Sequence, residues 1–122
     1  MASVIIVDDS EVNRKLLRNI LESEGYEVVG DASNGKEGYD EFVSKMPDVV
    51  TLDVSMPEMN GIEALKLMKK HNPSAKVIIL SASSEQEQRD EAAQHGADEF
   101  VSKPYQKKDI LEAMRRCTEM DT

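Results

Sequence analysis

The chain contains no tryptophan and a single cysteine, Cys117. One thiol cannot close an internal disulfide, which excludes a small secreted fold held by cross-links. Cys117 lies in an apolar-periodic segment and reads as a small buried hydrophobe. Only two histidines are present, His71 and His95, each near an expected helix end and neither with a partner at metal-ligand spacing. A zinc-type site is therefore not expected. Positive charge is short: 15 Lys and Arg stand against 24 Asp and Glu, for a formal charge of -9. Binding to a phosphate backbone needs clustered cations that release counterions, and here they are scattered among acids, so direct nucleic-acid binding is not expected. No apolar run approaches the roughly 18 residues that span a bilayer. The amino terminus enters Val4-Ile5-Ile6-Val7 without the basic start of a signal peptide. The expectations are a cytoplasmic location and no membrane partner. Gly/Ser linkers, repeats and low-complexity tracts are also missing, so residues 1–122 are expected to form one domain.

What is present is a 39% hydrophobic, 32% charged composition in which short aliphatic runs alternate with helical patterns from end to end. Strands are predicted at residues 3–7, 27–30, 49–52, 77–80 and 99–101. The three most apolar of them belong at the centre. The first helix carries Leu16, Leu17, Ile20 and Leu21 as an apolar stripe and stops at Gly25. A second, over residues 35–45, uses Tyr39, Phe42 and Val43 and includes Gly38, at about 1 kcal/mol relative to Ala. Asn60 with Glu63 resembles a cap for a third helix through Ile62, Leu65 and Met68, ended by Asn72-Pro73, and Ser84 with Glu87 repeats the signal for a fourth over residues 84–95. That fourth helix has little beyond Ala92 and Ala93 to bury and should be loosely held. The last, over residues 107–118, uses Ile110, Leu111, Met114 and Cys117. The order (βα)5 requires parallel strands with right-handed crossovers. The expected fold is a doubly wound, flavodoxin-like α/β sheet of order 2-1-3-4-5, whose ligands bind beyond the carboxyl ends of the first and third strands.

The first strand ends in Asp8-Asp9, the third in Asp53, the fourth in Ser81 and the fifth in Lys103-Pro104. Three carboxylates at one rim repel by roughly 4 kcal/mol per pair at 4 Å and an effective dielectric of 20. Lys103 supplies one compensating charge, and an oxygen-only donor set without His or Cys selects Mg2+ or Mn2+. Mg2+ held by carboxylates keeps open positions that suit phosphate. Asp53 stands where a carboxylate nucleophile could attack phosphorus, with Ser81 and Lys103 placed to stabilise phosphoryl oxygens. The bland alternative, that such Asp residues only cap the helices that follow, suits any one of them better than the set.

The ordered motifs Val7-Asp8-Asp9-Ser10, Leu52-Asp53-Val54-Ser55-Met56-Pro57, Asn60-Gly61, Leu80-Ser81-Ala82 and Val101-Ser102-Lys103-Pro104 resemble a CheY-like response-regulator receiver domain of two-component signalling, over essentially the whole chain. The resemblance implies that Asp53 is the phosphoacceptor and that Asp8, Asp9, Asp53 and the Ser55 backbone carbonyl hold Mg2+. It also implies Ser81 as the switch hydroxyl, Lys103 as the phosphate-contacting lysine, Phe100 as the aromatic switch residue and a cis Lys103-Pro104 peptide. A sensor histidine kinase would donate the phosphoryl group. A downstream effector would bind through the fourth helix, fifth strand and last helix, with Tyr105, Lys107, Lys108 and the face around Ala92 at the contact. The chain would then be a phosphoacceptor switch rather than an enzyme, a monomer or weak dimer of free-standing chemotaxis type. Ser55 and Ser83, two residues beyond the acceptor and the switch hydroxyl, are small and uncharged, so the acyl phosphate is expected to be neither strongly shielded nor actively hydrolysed. The rival readings are a Mg2+-dependent phosphatase with an aspartate nucleophile, a flavin carrier, a pseudo-receiver, and a receiver cut from a larger regulator.

Overall fold

The computed structural model describes residues 2–54, 61–82 and 84–119. Strands β1 (Ser3–Val7), β2 (Glu27–Ala32), β3 (Val49–Asp53), β4 (Lys76–Ala82) and β5 (Glu99–Lys103) alternate with helices α1 (Glu11–Ser23), α2 (Gly35–Lys45), α3 (Gly61–His71), α4 (Gln86–Gln94) and α5 (Lys107–Glu119). All strand pairs are parallel, in the order β2-β1-β3-β4-β5. The aliphatic runs of β1, β3 and β4 are buried along nearly their whole length, as central parallel strands require, while β2 and β5 are only partly buried.

Alternation along the strands divides the core in two. On one face, Ile5, Val7, Val50, Leu52 and Ile79 pack against Phe42 of α2, Ile62, Leu65 and Met68 of α3, and Ala92 of α4. On the other, Val4, Ile6, Ile78, Leu80 and Val101 pack against Leu17, Ile20 and Leu21 of α1 and Ile110, Ala113 and Met114 of α5. The predicted stripes are mostly the buried ones, but Leu16 of α1 and Val43 of α2 are exposed. Each lies at the margin of a stripe whose centre is filled by its neighbours.

Gly38 was expected to weaken α2. A Cβ there would stand 2.8 Å from both γ-methyl carbons of Val7, so the missing side chain lets α2 settle against β1. The capping of α2 comes from Asn34, whose side chain accepts from the Glu37 amide at 2.8 Å. Strands β2, β4 and β5 each run farther than the predicted spans, to Ala32, Ala82 and Lys103, because ladder bonding continues after the aliphatic residues end. Helix α4 is shorter than predicted: Ser84 does not cap it, and it begins at Gln86 after Glu85. The Glu85 carboxylate instead accepts from the Ala82 amide at 2.7 Å, closing the end of β4. The expected Asn60 cap of α3 lies outside the described residues. His71 stands edge-on to Tyr39 and Phe42, with ring centroids 6.3 and 6.1 Å away, which ties α3 to α2. Cys117 is buried, and burial, helped by the nearby charges of Asp98 and Glu99, pushes its thiol up to about 12.

Candidate functional site

At the carboxyl rim, Asp8 follows β1, Asp53 ends β3, Ser81 lies in β4 and Lys103 ends β5. The hydrogen-bonded register sets β3 beside β4 and β4 beside β5: Asp53 pairs with Leu80, the residue before Ser81, and Ala82 pairs with Lys103. Ser10 caps α1 by accepting from the Asn13 amide at 3.2 Å, and its own amide donates to Asp8 Oδ1 at 2.8 Å. Arg14, one turn into α1, donates to the Asp8 carbonyl at 2.6 Å. Behind β3, a Cβ on Gly61 would collide with the Asp53 carbonyl oxygen and stand 2.7 Å from the Val54 Cα. Glycine there allows the start of α3 to close against the strand end.

Asp8 and Asp53 are buried and Asp9 is exposed, and one carboxylate oxygen from each lies within 4.8 Å of the others. Lys103 Nζ reaches Asp53 Oδ2 at 2.8 Å. Burial draws the Lys103 ammonium pKa down, but the Asp53 hydrogen bond and the charges of Asp53, Asp8 and Glu85 outweigh it, so the lysine is held charged with its pKa raised. Asp8 is raised as well. Burial is the main cause, and Asp53 and Asp9 add to it against the opposing Ser10 amide and Lys103. Asp8 Oδ2 is buried and has no hydrogen-bond partner among the described residues.

One ammonium does not balance three carboxylates whose oxygens lie within 4.8 Å of one another, a separation at which two unit charges repel by roughly 3.5 kcal/mol at an effective dielectric of 20. An orphaned buried carboxylate oxygen within an all-oxygen donor set suits a hard divalent cation, so the residues fit Mg2+. Ser55, the remaining expected ligand through its carbonyl, lies outside the described residues, as does Ser83. The Lys103-Pro104 peptide is cis, as the resemblance implied.

Ser81 is fully buried, and its hydroxyl has no partner among the described residues. Alternation puts it on the face of Ile79, the same face on which Phe100 packs half-buried. The neighbours of Asp53 in its own strand alternation, Thr51 and Val49, point instead toward α1 and α5. One part of the expected output surface is corrected: Ala92 is the buried contact of α4, because it is the residue that seats the helix. Tyr105 is also not a simple surface residue. It packs against the α1/α5 core, and its hydroxyl oxygen is buried. Lys107 and Lys108 are exposed as expected. Arg14, Thr51 and Glu85 are not legible as rim residues from the sequence. An Arg on a helix and a Thr in a β-branched strand satisfy local propensity, so nothing in their pattern signalled a role at the rim.

A five-stranded parallel sheet with an acid cluster, a buried hydroxyl and a paired lysine at its carboxyl rim is the architecture of a phosphoacceptor switch. Residues 4–115 match the response regulator receiver domain family, and the chain belongs to that family. It is 43% identical over 113 residues to the chemotaxis protein CheY of Thermotoga maritima, covering 93% of this chain and 94% of that one. Identity to the chemotaxis protein CheY of Bacillus subtilis is 40% over 113 residues, covering 93% and 94%. Among solved structures, a chain of the CheX-CheY-BeF3-Mg2+ complex from Borrelia burgdorferi is 32% identical, with a TM-score of 0.88 over 93% of this chain and 87% of that one. A receiver domain protein from Clostridium thermocellum is 29% identical, with a TM-score of 0.93 over 99% and 97%. The chain is thus a response regulator receiver domain with relatives of chemotaxis type, and receivers of this type act as phosphoacceptor switches that bind Mg2+ at an acidic pocket. No helix among the described residues is long and apolar enough to cross a membrane.

Proposed function

We propose that Asp53 accepts a phosphoryl group from the phosphohistidine of a sensor kinase, that Mg2+ is held by Asp8, Asp9, Asp53 and the Ser55 carbonyl, and that Ser81 and Phe100 relay the change to a protein-binding face. The observation that carries this reading is the pairing of the buried Asp53 carboxylate with Lys103 at 2.8 Å beside an Asp8 oxygen that has no partner among the described residues. A carboxylate oxygen of Asp53 attacks phosphorus, the P–N bond breaks, and the imidazole leaves with the electron pair. Bound Mg2+ supplies neutralisation of the phosphoryl charge. Lys103 transfers its hydrogen bond from the carboxylate to a phosphoryl oxygen, and the Ser81 hydroxyl donates to another. The movement of Ser81 leaves room beneath it for the Phe100 ring on the same face.

The output follows from how weakly α4 is seated. It buries only Ala92, so the face of α4, β5 and α5 is the element a phosphoryl group can bias, and a downstream effector of the chemotaxis type would read it. Incubation with acetyl phosphate and Mg2+ should add one phosphoryl group, read by intact mass, and Asp53→Asn should abolish it. Undiminished labelling of Asp53→Asn would overturn the assignment. Amide exchange with and without beryllofluoride should differ in α4 and β5; identical protection there would remove the proposed output face.

A further inference from the structure

Two of the three clustered acids are consecutive residues. The planar peptide between Asp8 and Asp9 carries both Cα atoms, so any turn of that plane swings the two carboxylates together. The Asp8 amide donates to the Ala32 carbonyl of β2 at 3.0 Å, but that bond fastens only the peptide before Asp8. The peptide that Asp8 and Asp9 share is held at its carbonyl by Arg14 Nη1 at 2.6 Å. Helix α1 itself brings Arg14 there, because its opening bond runs from the Arg14 amide to the carbonyl of the Ser10 cap at 3.0 Å. A guanidinium among acids would ordinarily pair with one of them, and Arg14 lines a cavity of about 460 Å3 together with Asp31, Glu37, Asp40 and Glu41. Yet Asp31 pairs with Arg18, Glu41 pairs with Lys45, and Glu37 accepts from Ser33 and Asn34. Among the described residues, the side-chain bond of Arg14 goes to the Asp8 carbonyl.

We propose that Arg14 is a positioning residue of the metal pocket: by clamping the carbonyl of the Asp8-Asp9 peptide, its guanidinium fixes the direction in which both carboxylates project and so strengthens Mg2+ binding. The inference rests on the reading of the acid cluster as the Mg2+ site. A hydrogen bond from an ionised donor is stronger than one between neutral groups, and Arg presents it from a planar, preorganised fork. Groups that hold metal ligands from behind set their orientation, and losing one typically lowers metal affinity. Charge alone predicts the reverse. Arg14 is a cation beside a cation site, so removing it lessens the repulsion of Mg2+ and would tighten binding. The direction of the change therefore separates positioning from electrostatics.

Calorimetric titration of the metal-free full chain with Mg2+ alone, at fixed pH and ionic strength, tests this. Arg14→Met keeps an unbranched stem and good helix propensity but has no donor. It is expected to raise the Mg2+ Kd about tenfold, the low end for loss of a group behind a metal ligand. Arg14→Lys keeps the charge without the planar fork and should fall between the two. Arg18→Met removes the same charge one turn farther along α1, where Arg18 pairs with Glu22 and Asp31, and should bind Mg2+ as the wild type does. Thermal melts without metal show which variants are folded; if Arg14→Met is not, Arg14→Lys carries the test, with weaker binding than wild type expected. A Kd for the tested Arg14 variant that is tighter than wild type, or within about twofold of it, overturns the inference while leaving the metal site standing, whatever the melting temperature, because a group that only braces α1 would not move Kd. An equal loss of affinity in Arg18→Met also overturns it. Absence of Mg2+ binding by the wild-type chain overturns the metal site and the inference together.

Discussion

The two helices that flank β5 are built from opposite principles. Helix α5 presses Ile110, Ala113, Met114 and Cys117 into the core on one side of the sheet. Helix α4, on the other side, contributes Ala92 alone. What holds α4 otherwise is polar: Arg89 donates to Ser102 Oγ at 3.0 Å and to Gln86 Oε1 at 3.1 Å, and Lys66 pairs with Glu91 at 3.7 Å on the surface. Each buried aliphatic side chain contributes about 1.5 to 3 kcal/mol, whereas an exposed ion pair contributes about 0 to 1. The difference assigns roles. The side of the sheet that carries Asp8, Asp53 and Lys103 is braced by α1 and α5, so the acid cluster and its lysine have a firm support. The side that carries Ser81 and Phe100 is covered in part by a helix that water and small shifts can loosen.

The largest test of that contrast is in α5. Ile110→Ala removes a fully buried side chain and should cost about 2 to 5 kcal/mol by urea denaturation. Ala92→Gly, the corresponding loss in α4, should cost about 1 kcal/mol, mainly in helix propensity. Equal losses in the two variants would erase the distinction. Gly38→Ala comes next. The added methyl would improve helix propensity by about 1 kcal/mol, but it must displace Val7, and overpacking of a filled core typically costs about 1 to 3 kcal/mol. A net loss is expected in thermal melts, and a gain would mean that α2 is not tightly seated on β1.

The rim offers a test through pH. The Asp8 pKa in the folded chain is raised above its ordinary value, chiefly by burial. Its contribution to stability is therefore fully present below the unfolded pKa and lost as pH rises through the folded one. In metal-free protein, melting temperature should fall over that acidic interval, and Asp8→Asn should remove this component and melt higher at neutral pH. Saturating Mg2+ should reverse the order, because the wild-type carboxylate then has its counter-charge. If Asp8→Asn melts lower than wild type without metal, the rim is not electrostatically strained.

These two sides of the molecule were not equally readable from the amino-acid order. The central strands announce themselves as aliphatic runs, and Asp8, Asp53, Ser81 and Lys103 stand at their ends, so the parallel order and the charged rim could be anticipated together. Leu16 and Val43 were less readable, because helical periodicity defines a stripe but not the width that the facing sheet can cover. The start of α4 was misplaced because Ser84 offers a good capping residue while Glu85, next to it, has a closer acceptor task at the end of β4. Tyr105 could be numbered but not oriented: nothing in a Lys-Pro-Tyr order says that the hydroxyl turns inward.

The smallest expected effect is also the sharpest on the α4 side. Arg89→Ala removes the bond from α4 to Ser102 of β5 and the bond to Gln86, yet both partners are exposed and can turn to water, so global stability should change by only about 0.5 kcal/mol. Local opening is different, because α4 has few apolar contacts to keep it closed once the guanidinium is gone. Amide protection in α4 should fall while that of α5 stays at the wild-type value, since the two helices pack on opposite faces of the sheet. Such a split, a local loss with little global cost, is the behaviour required of an element that a phosphoryl group can bias. If protection in α4 and α5 fell together, the two helices would open as one unit, and a rigid site beside a yielding face would not describe this fold.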